Sequence, residues 1–199
     1  MTRRLFDILV AALGLVLLSP LLLALALAIK LDSRGPVFFR QVRVGRHGVL
    51  FRIHKFRSMV DAPAAAGPSL TVGDDARITR VGRFARRHRL DELAQLVDVL
   101  QGTMSLVGPR PEVPRYVALY PPALRAKVLS VRPGITDPAS LNFLDESALL
   151  AIAADPEREY IDTVLPIKLH LAAEYVDRAS LATDMRVIVQ TIKALLFAR

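Results

Sequence analysis

The sequence predicts an α+β chain, a mostly helical compact domain with one small β-hairpin, preceded by an N-terminal membrane-embedded helix. Three observations predict it. An uncharged apolar run of 22 residues extends from Ile8 to Ile29. Two short apolar segments flank Gly45-Arg46-His47-Gly48, the layout of a hairpin. Beyond Arg77 the apolar residues recur at helical spacing, punctuated by Pro and Gly.

As a helix, the N-terminal run is roughly 33 Å long, about the hydrocarbon thickness of a bilayer. Arg3 and Arg4 precede it, and Lys30, Asp32 and Arg34 follow. Ala24-Leu25-Ala26 has the form of a signal-peptide cleavage site, but the run exceeds the roughly 15 residues of a signal core. Two other readings are a single span and a helix that enters the membrane, breaks and returns. Ser19-Pro20 stands mid-run, where proline removes a backbone hydrogen bond and clashes with the preceding turn. A kinked span tolerates this, because serine and its neighbours re-satisfy the exposed carbonyls. Basic flanks favour the cytoplasmic side. A hairpin keeps both flanks there, whereas a span exports Arg3 and Arg4. On the residues alone the two are evenly matched.

Val37-Phe38-Phe39 and Val49 to Ile53 read as the hairpin strands. Asp61 to Asp75, rich in Ala, Gly and Pro, reads as a mobile loop. Arg77 to Arg89 reads as a basic helix with Ile78, Val81 and Phe84 on one side. Leu90 to Gln101 is the clearest helix: Leu93, Leu96, Val97 and Leu100 follow the i, i+3, i+4, i+7 pattern. Asp91 and Glu92 suit its N-terminus, and Gly102 its stop. Ser105 to Glu112 reads as a proline-stiffened loop around Arg110, and Arg132 to Thr136 as a turn. Helices are expected over Tyr116–Ser130, interrupted at Pro121-Pro122, and over Tyr160–Asp177 and Asp184–Phe197. The last carries Val187, Ile188, Ile192, Leu195 and Leu196 along one stripe. That stripe suits a core-facing helix or one lying on a bilayer.

Composition narrows the function. With 52% hydrophobic residues the chain is no disordered protein. Without cysteine it has no disulfide framework and no thiolate zinc site. The net charge of +8 is local: residues 34–90 carry +10, against +1 before and −3 after. Twelve of the thirteen basic residues there are arginine, whose planar fork suits phosphate. Anionic lipid, nucleic acid or a phosphorylated small substrate fits such a stretch. With no nucleic-acid motif and a membrane segment adjoining, nucleic acid is disfavoured. No two of the four histidines stand at metal-ligand spacing.

Asp91-Glu92 is the candidate for chemistry. Adjacent helical residues point about 100° apart, so one carboxylate can attack an electrophile or hold a hard cation while the other orients or relays a proton. Ordinary helix-start chemistry also accounts for the pair. Arg86, Arg87 and Arg89 just before it, and Arg110 after, surround it with the cations a Mg²⁺-dependent phosphoryl site needs.

The ordered motifs Lys55-Phe56-Arg57-Ser58-Met59, Arg86 with Leu90 to Leu96, Met104 to Pro111, and Arg132-Pro133-Gly134-Ile135-Thr136 resemble the bacterial sugar transferase family. More narrowly, they are similar to its small monotopic phosphoglycosyl transferases, over nearly the whole chain. The resemblance implies transfer of a phospho-sugar from a UDP-sugar to polyprenol phosphate, with UMP released, as the initiating membrane step of bacterial glycoconjugate synthesis. It implies Asp91 as nucleophile and Mg²⁺ contact, Glu92 as its partner, and Lys55, Arg86, Arg110 and Pro111 near the anionic substrate. It makes Ser19-Pro20 a membrane-helix break. The expectation is therefore a re-entrant helix-break-helix over residues 1–33 and a cytosolic domain over 34–199, on the inner face of the bacterial cytoplasmic membrane. Where relatives continue the last motif with Gly-Trp, this chain has Asp137-Pro138-Ala139-Ser140, which bears on sugar preference. The rival reading is a membrane-anchored, arginine-rich protein that binds anionic lipid or nucleic acid. The sequence leaves the oligomeric state, the sugar and the pathway open.

Overall fold

The computed structural model describes residues 2–60, 70–73, 75–143 and 145–197. The expected loop over 61–75 lies largely outside them. Helix α1 (Thr2–Asp32) is followed by the antiparallel strands β1 (Phe38–Val44) and β2 (Leu50–Phe56). These pair from Phe38↔Phe56 to Val44↔Leu50 and are joined by a 3-10 turn at Arg46–Gly48. Next come α2 (Arg80–Arg87), a 3-10 turn at Leu90–Gln95, α3 (Leu96–Gln101) and β3 (Ser105–Val107). Short helices α4 (Pro114–Val117) and α5 (Pro122–Val128) lead to β4 (Gly134–Thr136). The helices α6 (Pro138–Asn142), α7 (Glu146–Ala151) and α8 (Pro156–Glu159), a π-turn at Tyr160–Val164, α9 (Leu165–Asp177) and α10 (Leu181–Phe197) complete the chain.

The mostly helical body with its hairpin matches the expectation, with four corrections. First, Arg132 to Thr136 is not only a turn: β4 pairs in parallel with β3, from Ser105↔Gly134 to Val107↔Thr136. Glycine is required at this crossing, because a Cβ on Gly134 would lie 2.1 Å from the Gly108 nitrogen. Second, the helix expected over 90–101 begins as a 3-10 turn, and its buried residues include the polar Asp91, Gln95 and Asp98. Leu100 stays exposed, because this segment turns its acids toward β2. Third, Phe84 is exposed and Ile78 precedes α2. With Thr79 capping the helix by accepting the Gly82 N–H, its inner face is Val81, Gly82 and Ala85. Fourth, only Val187 of the α10 stripe is fully buried; Ile192, Leu195 and Leu196 are exposed.

At Ser19-Pro20, where a break is expected, α1 stays helical. The helix runs unbroken through Pro20, and the Ser19 hydroxyl donates to the Val16 carbonyl at 2.8 Å, satisfying one of the groups that proline crowds. By length and composition α1 can cross a membrane, with a mean hydropathy of 2.8 over its most apolar window.

Helix α1 belongs to the same packing unit as the domain behind it. Ala11 joins Val99, Met104, Val107 and Val187 in one core cluster, and Leu25 and Ile29 join Phe56, Ala85 and Ala94 in another. Each of the Val, Leu, Ile, Phe and Met side chains taken from water stabilises the fold by about 1.5–3 kcal/mol. Polar contacts tie down both ends. Near the start, Arg3 donates to Asp184 (2.7 Å) and Tyr175 (2.7 Å), Arg4 donates to the Val99 carbonyl (2.7 Å), and buried Asp7 accepts from Ser105 (2.6 Å). At the far end Arg57 donates to the Ile29, Ser33 and Arg34 carbonyls, and Asp32 accepts the Val81 N–H at 2.9 Å. Between these ends Leu5, Leu9, Leu13, Val16, Leu23, Leu27 and Leu31 project outward, exposed.

A third cluster lies under α4, α5 and α9, built on Tyr116, Tyr120, Tyr160, Leu165 and Leu169. It supports the loop that carries Arg110.

Candidate functional site

Asp91 and Glu92 sit at the start of the 3-10 turn, only 2% and 6% exposed. Arg89, just before them, adopts left-handed geometry at φ 55°, a conformation that costs an L-residue roughly 1–2 kcal/mol. It redirects the chain out of α2 and brings its own guanidinium to 3.9 Å from Glu92. A 3-10 turn advances about 120° per residue, so the two carboxylates diverge. Both are still within reach of β2. Lys55 Nζ lies 3.0 Å from Asp91 Oδ2 and 3.3 Å from Glu92 Oε1.

Glu92 is the more heavily neutralised. Arg110 grips it as a fork, with Nη2 on Oε1 and Nη1 3.4 Å from Oε2. Burial alone would push the Glu92 carboxyl up. The Arg110 and Lys55 charges, the Arg110 hydrogen bond and Arg89 outweigh it, and hold the carboxyl far below the usual carboxylate range. Glu92 in turn raises the Arg110 guanidinium further above its ordinary value, against the effect of burial. Glu92 is therefore held as an anion, paired with Arg110, Lys55 and Arg89. Asp91 is engaged through one oxygen only: among the described residues no donor reaches Oδ1. A carboxylate with one oxygen oriented by an ammonium and the other available is suited to nucleophilic attack.

The structure thus joins Lys55, Asp91, Glu92 and Arg110. It does not join Arg86, which is half-buried on α2 and whose side chain makes no hydrogen bond or ion pair with another described residue. Pro111 is buried, and its carbonyl accepts from Arg43 at 2.9 Å. Ser19 and Pro20 lie away from this centre, exposed on α1.

No group of three or more His, Cys, Asp or Glu that could hold a metal occurs among the described residues. Mg²⁺ takes one or two carboxylates and completes its shell with water and substrate phosphates. A single carboxylate such as that of Asp91 would fit that mode, as one protein ligand to an ion bound together with a diphosphate.

Several supporting residues carry no signal in local sequence. The Asp98 carboxylate, 1% exposed, accepts the His54 backbone N–H (2.8 Å) on one oxygen and faces His54 Nδ1 (2.7 Å) with the other. Arg40 Nη1 lies 2.6 Å from His54 Nε2. Arginine can only donate, so Nε2 is the accepting side of this contact and Nδ1 faces the Asp98 carboxylate. This bidentate clamp fastens β2 to α3, next to Lys55 on one chain and a short turn beyond Asp91 on the other. On the opposite side Arg43 holds the Pro111 carbonyl and approaches Glu112 at 3.7 Å, and Glu112 accepts from Tyr160 at 2.6 Å. Asp137 accepts the Arg110 N–H at 3.3 Å. The Arg110 loop is thereby positioned from three directions.

A family model described as bacterial sugar transferase matches residues 1–198. The chain is 42% identical to an undecaprenyl-phosphate glucose phosphotransferase of Komagataeibacter xylinus, with 99% of this chain and 36% of that protein covered. It is 39% identical to a UDP-N-acetylgalactosamine-undecaprenyl-phosphate N-acetylgalactosaminephosphotransferase of Aeromonas hydrophila, covering 98% and 43%. It is also 39% identical to a UDP-glucose:undecaprenyl-phosphate glucose-1-phosphate transferase of Caulobacter vibrioides, covering 98% and 69%. The chain therefore spans less than half the length of the first two relatives.

Two outcomes follow from this geometry. Asp98→Ala removes both acceptors from His54 and lets Lys55 drift, so kcat should fall about 10- to 100-fold. Asp98→Asn, which still accepts the backbone N–H, should lose less; equal losses in the two variants would argue against the clamp. The second outcome concerns acid. The folded Glu92 carboxyl lies below its unfolded value of about 4.3, so its stabilising contribution is complete above that pH and is lost as pH falls toward the folded value. Circular-dichroism melts in detergent should show wild type losing Tm more steeply than Glu92→Gln between about pH 5 and pH 3.

Proposed function

The chain belongs to the bacterial sugar transferase family, and from that premise we propose that it transfers a phospho-sugar from a UDP-sugar to polyprenol phosphate, with Asp91 as nucleophile. The observation that carries the reading is the asymmetry of the pair. Glu92 is consumed by Arg110, Lys55 and Arg89, whereas Asp91 meets Lys55 through Oδ2 alone.

Asp91 Oδ1 attacks the phosphorus that bears the sugar. A P–O bond forms, the bond from that phosphorus to the bridging oxygen breaks, and UMP leaves with the electron pair. A phosphate oxygen of polyprenol phosphate then attacks the same phosphorus, expels the Asp91 carboxylate and yields polyprenol-diphosphate-sugar. Carboxylate and phosphoryl group are both anionic, so the approach needs positive charge placed beforehand. Lys55 orients Asp91, and Arg110, held by Glu92 and by its loop, presents its outer N–H groups to the diphosphate. Mg²⁺, when bound, supplies further charge neutralisation at the diphosphate. The covalent step lets the soluble donor depart before the lipid acceptor arrives, so the site need not hold two large anions together.

We place the enzyme on the cytoplasmic face of the bacterial inner membrane, with α1 dipping into one leaflet, at the start of glycoconjugate or exopolysaccharide assembly. The support is that both ends of α1 are tied by charged and polar contacts to one body. If α1 crossed the bilayer, those two ends, roughly 46 Å apart along 31 helical residues, would lie on opposite sides of it and could not both meet the same body.

Purified wild type with Mg²⁺ and a panel of UDP-sugars should release UMP and give a phospho-sugar adduct on Asp91 by mass spectrometry. Asp91→Asn should lose both; normal turnover in that variant would sink the mechanism. Absence of UMP release from every donor would favour the arginine-rich binding protein instead. For topology, the chain has no cysteine, so Thr2→Cys provides a single thiol. In intact cells it should resist an impermeant reagent added from outside, and labelling there would refute the one-leaflet placement.

A further inference from the structure

The arginines between residues 34 and 90 do not all face the carboxylate pair, and α2 sorts them. Its inner side packs Val81 and Ala85 against Leu25 and Ile29 of α1. Gly82 seats the helix directly on the chain at Ser58, where a Cβ would lie 2.0 Å from the Ser58 carbonyl oxygen. Asp32, in the last turn of α1, accepts the N–H of Val81 in the first turn of α2. The helix is thus mounted rigidly at the point where the apolar helix ends.

The outer side follows i, i+3, i+4, i+7: Arg80, Arg83, Phe84 and Arg87 are all exposed, Phe84 by 56%. The helix contains no acidic residue. The side chains of Arg80 and Arg87 make no hydrogen bond or ion pair with another described residue. Arg86 projects between the two sides, half-buried. The Phe84 ring shares this face with the arginines and rests on the protein only along one side, against the His88 ring 4.5 Å away, so that 56% of the residue stays exposed.

We propose that this outer face of α2 docks on anionic phospholipid headgroups, with Arg80, Arg83 and Arg87 on phosphates and the Phe84 ring seated in the interfacial layer. Two features select this occupant. The face combines arginine with an exposed aromatic ring on a helix without acidic residues, the combination that binds a charged bilayer surface. It also continues from α1, whose exposed Leu27 and Leu31 lie in the turns that lead to Asp32. Near an anionic surface each arginine raises local partitioning roughly fivefold. The docking fixes the tilt and depth of the domain, and so the height of Asp91 above the leaflet. Neighbouring arginines in one sequence block therefore have separate tasks. The inference rests on the reading that α1 lies in the bilayer.

The chain has no tryptophan, so Phe84→Trp puts a single indole on this face. The full-length variant is reconstituted into nanodiscs of brominated phosphatidylcholine, with and without phosphatidylglycerol. Emission should be blue-shifted and quenched by bromine, more strongly with phosphatidylglycerol and less so in high salt. Adding Arg80→Gln, Arg83→Gln and Arg87→Gln should remove the dependence on phosphatidylglycerol, with the circular-dichroism spectrum unchanged. If that combination fails to fold, the lipid and salt dependence of Phe84→Trp alone decides. Unquenched, water-like emission in every disc, or quenching indifferent to the anionic lipid, overturns the proposal. Protection of the indole by a single-stranded oligonucleotide, with no response to phosphatidylglycerol, overturns it in favour of nucleic acid. Failure of wild type to float with vesicles refutes instead the placement of α1, a result distinct from loss of the α2 response.

Discussion

Two adjacent carboxylates buried beside each other are the constraint on which the rest of the structure depends. An unpaired buried carboxylate costs several kcal/mol, and two in sequence would unfold a domain of ordinary stability. Each element around the turn answers that cost. Strand β2 contributes Lys55, the proline-bounded loop contributes Arg110, and the left-handed Arg89 adds a third cation. These groups are themselves held: β2 by Asp98 through His54, and the loop by Arg43, Asp137 and the Glu112–Tyr160 bond. The hairpin, the short parallel pair and the helical layer beneath them form one apparatus for placing three cations against two anions.

The neutralisation is uneven, and the chemistry rests on the unevenness. A fully paired Asp91 would be a structural anion like Glu92. An unpaired one would be costly and free to rotate. One ammonium on one oxygen orients the group and leaves the other oxygen available. Preorganised charge of this kind needs no rearrangement when further anions arrive.

Helix α1 extends the same logic to the membrane. Its inner stripe fills two of the three core clusters and its outer stripe of leucines is exposed along the whole length. Arg57, in the motif that begins with Lys55, binds three carbonyls at the end of α1. A single seven-residue strand and the residue after it therefore connect the apolar helix to the carboxylate pair.

Sequence alone determined what depends on neighbours in the chain or on an ordered set of motifs. The apolar run, the hairpin, the cation-rich setting of Asp91-Glu92 and the choice of Lys55 and Arg110 were all legible, the first from composition and the last from motif order. Periodicity misassigned Phe84 and Leu100, because a helical stripe says which residues share a face but not what covers that face. Tertiary structure decided the pairings across long separations. His54 meets Asp98 44 residues away, Arg43 meets Pro111 68 away, and Arg3 meets Asp184 181 away. Arg86, adjacent to the site in sequence, is not bonded to it in space. Helical periodicity and local charge act over a turn or two, whereas a buried charge takes its partner from whichever element the packing brings within 3 Å.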